Sequence, residues 1–210
     1  DNTRIVVLLN PNNPVGNVYT EEELQRVIAR AKEVGAIVII DEAYHYFYPN
    51  TFLNYALEGE NVVVLRTFSK LFSIAACRLG VIISNPEIIH YVKNARLTFD
   101  ANSIALLFAE RILDHPEMVD ELIRIEREGK AYTLEELQKK GYECRDCRGN
   151  FIFVKPHHNA KEIAKRLEEE KQVLVHPYGN ELLKDYLRVS VGSKKAMQIF
   201  LDAFFQVDAD

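Results

Sequence analysis

Lys70 stands in Arg66-Thr67-Phe68-Ser69-Lys70, directly after the apolar run Val62-Val63-Val64-Leu65, and Arg78 follows eight residues later at the head of a second apolar run, 79–83. An amine at the mouth of a strand can form a Schiff base with an aldehyde. The hydroxyls of Thr67 and Ser69, with the planar donor fork of Arg78, have the chemistry to hold a phosphate. Together they suit a cofactor that carries both groups and is held covalently. A lysine alone in this position is a surface residue ending a strand loop. Here, other polar clusters stand upstream and downstream of it: Asn10-Pro11-Asn12-Asn13-Pro14-Val15-Gly16, Asp41-Glu42-Ala43-Tyr44, and Leu187-Arg188-Val189-Ser190-Val191-Gly192.

These clusters need elements to carry them. Residues 4–9 form a short apolar run that ends in the Asn-Pro loop, where proline, asparagine and glycine exclude a helix. Thr20 with Glu23 has the spacing of a capping box, and Leu24, Val27, Ile28, Ala31 and Val34 share one face of the helix it opens, which ends near Gly35. Residues 36–40 are apolar throughout, which predicts a strand buried on both faces and stopped at Asp41. Residues 62–65 and 79–83 predict two more strands. Alternating strand and helix predict an α/β layer structure with a largely parallel sheet. Ligands gather at the carboxyl ends of such strands, and Asn13, Asp41 and Lys70 are each expected just past one.

Pro86 opens a helix with Ile88, Ile89 and Val92 on its apolar side. Further helices are expected over 103–113 and from Pro116 towards Gly141. The pattern then changes to short strands near 151–155, 173–176 and 186–191 with helices over 161–170 and 194–205, the first capped by Asn159. A domain boundary is expected inside the long helix, near residue 120, giving units 1–120 and 121–210.

The chain has 210 residues, 48% hydrophobic and 27% charged, enough for a real core, and its formal net charge of −5 with no basic stripe argues against a nucleic-acid partner. No apolar run approaches the roughly 20 residues that span a bilayer. Three cysteines and no signal-peptide pattern predict reduced thiols and a cytoplasmic protein. Cys144 and Cys147 form a C-x-x-C, but without a second pair or a following helix they read as inert thiols rather than a metal or redox site.

Asn-Pro-Asn-Asn-Pro-Val-Gly at 10–16, Asp-Glu-Ala-Tyr at 41–44, Ser69-Lys70 with Arg78, and Leu-Arg-Val-Ser-Val-Gly at 187–192 resemble the class I/II aminotransferases, pyridoxal-phosphate enzymes of fold type I, and among them the histidinol-phosphate aminotransferases. The resemblance covers nearly the whole chain. It implies a largely parallel sheet of the cofactor-binding large domain, truncated, plus a small C-terminal α+β domain. It implies that Lys70 bonds pyridoxal 5'-phosphate and then acts as general base, and that Asp41 faces the ring nitrogen. Asn13 and Tyr44 would donate to the phenolic oxygen, while Thr67, Ser69 and Arg78 hold the phosphate. Arg188 would grip the substrate α-carboxylate, with Asn150 nearby. Amino acid and 2-oxo acid substrates and a homodimer follow from the same likeness.

The sequence also departs from the pattern. Val15 replaces the usual threonine. In Arg96-Leu97-Thr98-Phe99-Asp100-Ala101-Asn102 the family proline is absent and Phe99 stands for a tyrosine. Only nine residues precede Asn10, so the family's N-terminal segment, with its phosphate-binding turn, ring-stacking aromatic and intersubunit tyrosine, is expected to be missing. Pyridoxal-phosphate decarboxylases of the threonine-phosphate type share the same four motifs, and an inactive fragment is a further alternative. Residues 37–42 also look like a Walker B strand, but the chain holds no phosphate-binding G-x-x-x-x-G-K-[ST] loop.

Overall fold

The computed structural model describes residues 2–209, which cluster into two compact units, one ending at Val119 and the other beginning at Asp120. Each is taken in turn. The first holds β1 (Ile5–Leu9), α1 (Glu21–Glu33), β2 (Ile37–Asp41), α2 (Leu53–Glu58), β3 (Val62–Thr67), β4 (Gly80–Ile83), α3 (Pro86–Ala95) and α4 (Ser103–Leu113). Its sheet runs β1-β2-β3-β4, with the first three strands parallel and β4 antiparallel to β3.

Local chemistry sets the helix ends. Thr20 Oγ1 accepts from Glu23 N at 3.2 Å and Glu23 Oε2 accepts from Thr20 N at 2.8 Å, so the capping box is closed at the start of α1. Asn85 and Asn102 cap α3 and α4 in the simpler way, each accepting a backbone N–H three residues on. The core gathers Leu24 and Ala31 of α1, Phe52 and Ala56 at α2, and Val38, Ile40, Val62 and Val64 of the sheet.

The sheet is therefore covered unequally. Val38 and Ile40 are fully buried, whereas Ile37 and Ile39 are only partly so, and on β1 Ile5 and Val7 are each 56% exposed while Val6 and Leu8 pack on the core. The expected burial of β2 on both faces is corrected to one face. An apolar run cannot by itself say which neighbours cover it, and α1 and α2 pack on one side.

The second unit takes in the rest of α5 (Pro116–Lys139), then β5 (Glu143–Asp146), β6 (Phe151–Lys155), α6 (Ala160–Lys171), β7 (His176–Pro177), β8 (Leu187–Ser190) and α7 (Lys194–Ala209). Its antiparallel sheet runs β5-β6-β8-β7. Ile152, Val154 and Leu187 pack against Leu137, Ile163, Leu167, Leu201 and Phe204. At Gly129 of α5 a Cβ would overlap the carbonyl oxygen of Gly192, so the helix can approach that loop only without a side chain.

The strand expected over 173–176 is reduced to His176–Pro177. Val173 N instead donates to Leu167 O, closing the end of α6 at Gln172 in the left-handed conformation. Among the described residues, no helix is long and apolar enough to cross a membrane.

All three cysteines are free thiols. Cys147 is 2% exposed, and burial pushes its thiol up to about 11. A raised thiol pKa favours the folded state while both forms are protonated. That contribution is complete below the ordinary value of 9.0 and is lost as pH rises towards about 11. At pH 8, Cys147 should therefore resist iodoacetamide in the native protein and react on unfolding, as peptide mass spectrometry would read. Native-state alkylation at the rate of an exposed thiol would contradict this.

Candidate functional site

Because β1, β2 and β3 are parallel, their carboxyl ends share one edge of the sheet. The register sets Leu9, Asp41 and Leu65 side by side there. Asp41 is the last residue of β2 rather than the first beyond it, and Thr67 is the last of β3, two residues further than the apolar run alone suggests. Ser69 and Lys70 follow in the turn after β3. Asn13 lies exposed in the loop after β1.

That loop is tied to the strand ends. Asn10 N donates to Asp41 O at 2.9 Å, Asn12 N to Asn17 O at 2.8 Å and Gly16 N to Asn12 O at 2.9 Å, with Gly16 at φ +76°. Asn10 Oδ1 accepts from Tyr19 N, while its Nδ2 is buried without a hydrogen-bond partner among the described residues.

Asp41 Oδ1 accepts from Ala43 N at 2.9 Å, an Asx turn that ends the strand and delivers Tyr44, 4% exposed, into the site. Lys70 Nζ lies 5.4 Å from the centroid of the Tyr44 ring. A lysine amine after β3 and a phenol after β2 thus meet, with the Asp41 carboxylate starting the turn that carries the phenol. Thr67 Oγ1 donates to Leu79 O at 3.3 Å and accepts from Ser69 N at 3.1 Å, which fixes the turn holding both hydroxyls. Phe68 N also donates to Leu79 O, bringing the residue after Arg78 against this turn. Arg78 has φ +53°, and its Nη1 donates to Ala75 O at 3.0 Å, with the side chain largely exposed.

Sequence reasoning gave no role to the charges beside these residues. The Glu42 side chain is 0% exposed. Its Oε1 accepts from Phe52 N at 2.6 Å, and its Oε2 accepts from Arg66 Nε at 3.0 Å and Nη2 at 2.9 Å. Thr51 Oγ1 lies 2.9 Å from both carboxylate oxygens and accepts from Arg66 Nη2 at 2.8 Å. Burial, reinforced by the Arg66 charge, holds the His45 imidazole below its ordinary pKa. The available signal was a charged residue at the end of each apolar run, since a charge in that place needs a partner.

In the second unit, Arg188 sits on β8 opposite Phe153 of β6 and His176 of β7. Its guanidinium carbon lies 4.1 Å from the Phe151 ring centroid, a stacked cation–π arrangement that suits arginine in a half-buried strand. Asn150 immediately precedes β6, and its carbonyl accepts from Val191 N at 2.8 Å. The loop leading to it is held by Lys130 of α5, whose Nζ reaches the carbonyls of Cys147 and Gly149 and lies 2.8 Å from Asp146 Oδ1. Lys130 was also missed by sequence reasoning, because its two carbonyl partners carry no side-chain signal.

By residue type, the first unit could hold an aldehyde that carries a pyridine ring and a phosphate: Lys70 has an amine, Asp41 a carboxylate, Tyr44 and Asn13 hydrogen-bond donors, and Thr67, Ser69 and Arg78 groups able to bind an anion. Among the described residues there is no cluster of metal-ligating side chains.

A layered α/β unit with this set at the carboxyl edge of its sheet defines the class, and the profile of the class I and II aminotransferases matches residues 1–204. The chain belongs to that family. It is 32% identical over 197 residues to the histidinol-phosphate aminotransferase of Thermotoga maritima, covering 94% of this chain and 56% of that relative. The chain thus spans little more than half the length of the relatives it matches. Among solved structures, the histidinol-phosphate aminotransferase of Sinorhizobium meliloti in complex with pyridoxal-5'-phosphate shares the fold at TM-score 0.86 and 24% identity, over 99% of this chain and 58% of that one. The L-threonine-O-3-phosphate decarboxylase of Porphyromonas gingivalis does so at 0.81 and 22%, over 100% and 66%.

Proposed function

We propose that the protein containing this chain is a pyridoxal-phosphate-dependent aminotransferase. It would move an amino group between an amino acid, or a histidinol-phosphate-like amino phosphate, and a 2-oxo acid. The observation that carries this reading is the Lys70 amine set over the Tyr44 ring, with Asp41 anchoring the same turn. Family membership and the histidinol-phosphate aminotransferase relative support it. In this reading residues 1–120 are the C-terminal part of the cofactor-binding large domain and 121–210 the small domain.

When bound, pyridoxal phosphate supplies an aldehyde that takes up the substrate amine and a protonated ring that draws electrons from the substrate α-carbon. The Asp41 carboxylate would hold the proton on the ring nitrogen. Tyr44 and Asn13 would donate to the phenolic oxygen and stabilise its negative charge. The Thr67 and Ser69 hydroxyls and the Arg78 guanidinium would hold the phosphate. Lys70 Nζ would bind the cofactor's aldehyde carbon and, as a free amine, would take the substrate α-proton as general base. By the family likeness, Arg188 would hold the substrate α-carboxylate through its bidentate fork, and Asn150 would bind the same group. That grip would set the orientation on which bond cleavage depends.

A homodimer in the cytoplasm completes the proposal. Exposed Leu97, Phe99, Ile104 and Phe108 offer apolar surface for a neighbour, and the free cysteines accord with a reducing compartment.

The test is product analysis with the full-length protein, pyridoxal phosphate, 2-oxoglutarate and a panel of amino donors that includes histidinol phosphate. Formation of glutamate and the donor's carbonyl product is expected. Carbon dioxide release without amino transfer would favour the decarboxylase, and neither product from a cofactor-loaded protein would overturn both.

A further inference from the structure

We propose that Glu42 and Arg66 are positioning residues, a cross-strand clasp that sets the spacing between the Asp41–Tyr44 turn and the Thr67–Lys70 turn. The proposal rests on the assignment of those two turns to the cofactor. Asp41 pairs with Leu65 in the parallel register, and Glu42 N donates to Leu65 O at 2.9 Å, so Glu42 and Arg66 meet one step beyond the last ladder pair. Each is the chain neighbour of an expected cofactor ligand, Glu42 following Asp41 and Arg66 preceding Thr67. Successive side chains on a strand point to opposite faces, so the clasp closes on the face away from those ligands. A shift in the pair carries Asp41 and Thr67 with it.

The bonding is fuller than an ion pair needs. The carboxylate is wholly buried and the guanidinium 19% exposed. Two Arg66 nitrogens share Oε2, Phe52 N takes Oε1, and the Thr51 hydroxyl bridges carboxylate and guanidinium. The loop leading into α2, residues 48–52, is thereby fastened to the same point. His45 Nδ1 stands 4.0 Å from Oε2, and burial together with Arg66 disfavours its protonation, which leaves the carboxylate charge to Arg66. Buried pairs of this kind contribute little net stability compared with apolar residues of the same volume. Their geometric exactness fits a role in fixing where the two strand ends lie.

The experiment uses the full-length protein and four measurements: pyridoxal phosphate affinity by spectroscopic titration, the pH midpoint of the bound cofactor's visible band, apo-protein Tm, and turnover. Glu42→Gln keeps an acceptor for Phe52 N but removes the charge facing Arg66. It should weaken cofactor binding by about tenfold or more, equivalent to about 1.4 kcal/mol, and move the band midpoint by at least about half a pH unit. The double variant Glu42→Gln/Arg66→Met removes the orphaned cation, so it should regain Tm without regaining the wild-type midpoint. If Glu42→Gln does not fold, Arg66→Lys, which keeps the charge but loses the fork, is measured by the same readouts. A fall in Tm with cofactor affinity and band midpoint unchanged would overturn the clasp and leave the site assignment standing. Absence of any visible band in the wild type would overturn both.

Discussion

Lys70→Ala in the full-length protein should abolish the covalent attachment of pyridoxal phosphate and reduce turnover by roughly 10²–10⁴-fold from the lost proton transfer alone. Folding should survive. The backbone bond from Ser73 N to Lys70 O does not involve the side chain, and the Lys70–Tyr44 contact is worth only about 0.5–1 kcal/mol at a partly exposed site. Borohydride reduction followed by peptide mapping reads the attachment directly. The wild type should carry the cofactor's mass on the peptide containing Lys70, and the variant should carry none. Added small primary amines should restore part of the variant's turnover, since the missing group is a base at one position. A cofactor mass on another lysine, or turnover within about tenfold of wild type, would remove Lys70 from the centre of the proposal.

The positions in this prediction were legible because local chemistry marks them. A strand followed by hydroxyls and an amine needs no tertiary information to stand out, and the Thr20–Glu23 capping box is likewise contained in four residues. The family likeness then supplied roles for Asp41, Tyr44 and Arg188 that residue types alone leave open. What escaped notice depends on pairing between distant segments. Glu42 and Arg66 lie 24 positions apart, and only the register of β2 on β3 makes them neighbours. The six residues of α2 are too few to show a helical period, and β5 reads Glu-Cys-Arg-Asp, held as a strand by its ladder to β6 rather than by β-propensity. One-sided burial of β2 was invisible for a related reason, because an apolar run records what can be buried and not what covers it.

Asp41→Asn separates attachment from chemistry. The substitution keeps an oxygen for the Ala43 N–H that forms the turn, so Tyr44 should stay in place and the backbone should be undisturbed. It removes the negative charge that, in the proposed site, would favour a proton on the ring nitrogen. The cofactor should therefore still attach to Lys70, because that bond needs only the amine and the aldehyde. Turnover should fall by roughly 10²–10³-fold, the scale at which a single preorganised electrostatic partner acts. The sign of the pH effect follows from the same cause. Without the carboxylate the ring nitrogen loses its proton at lower pH, so the variant's residual activity should rise as pH is lowered, in a range where the wild type is flat. A rate profile against pH, measured beside the absorbance of the attached cofactor, checks both halves. Turnover near the wild-type level would show that the ring works without a carboxylate opposite its nitrogen, and Asp41 would then be only the residue that ends β2 and starts the turn.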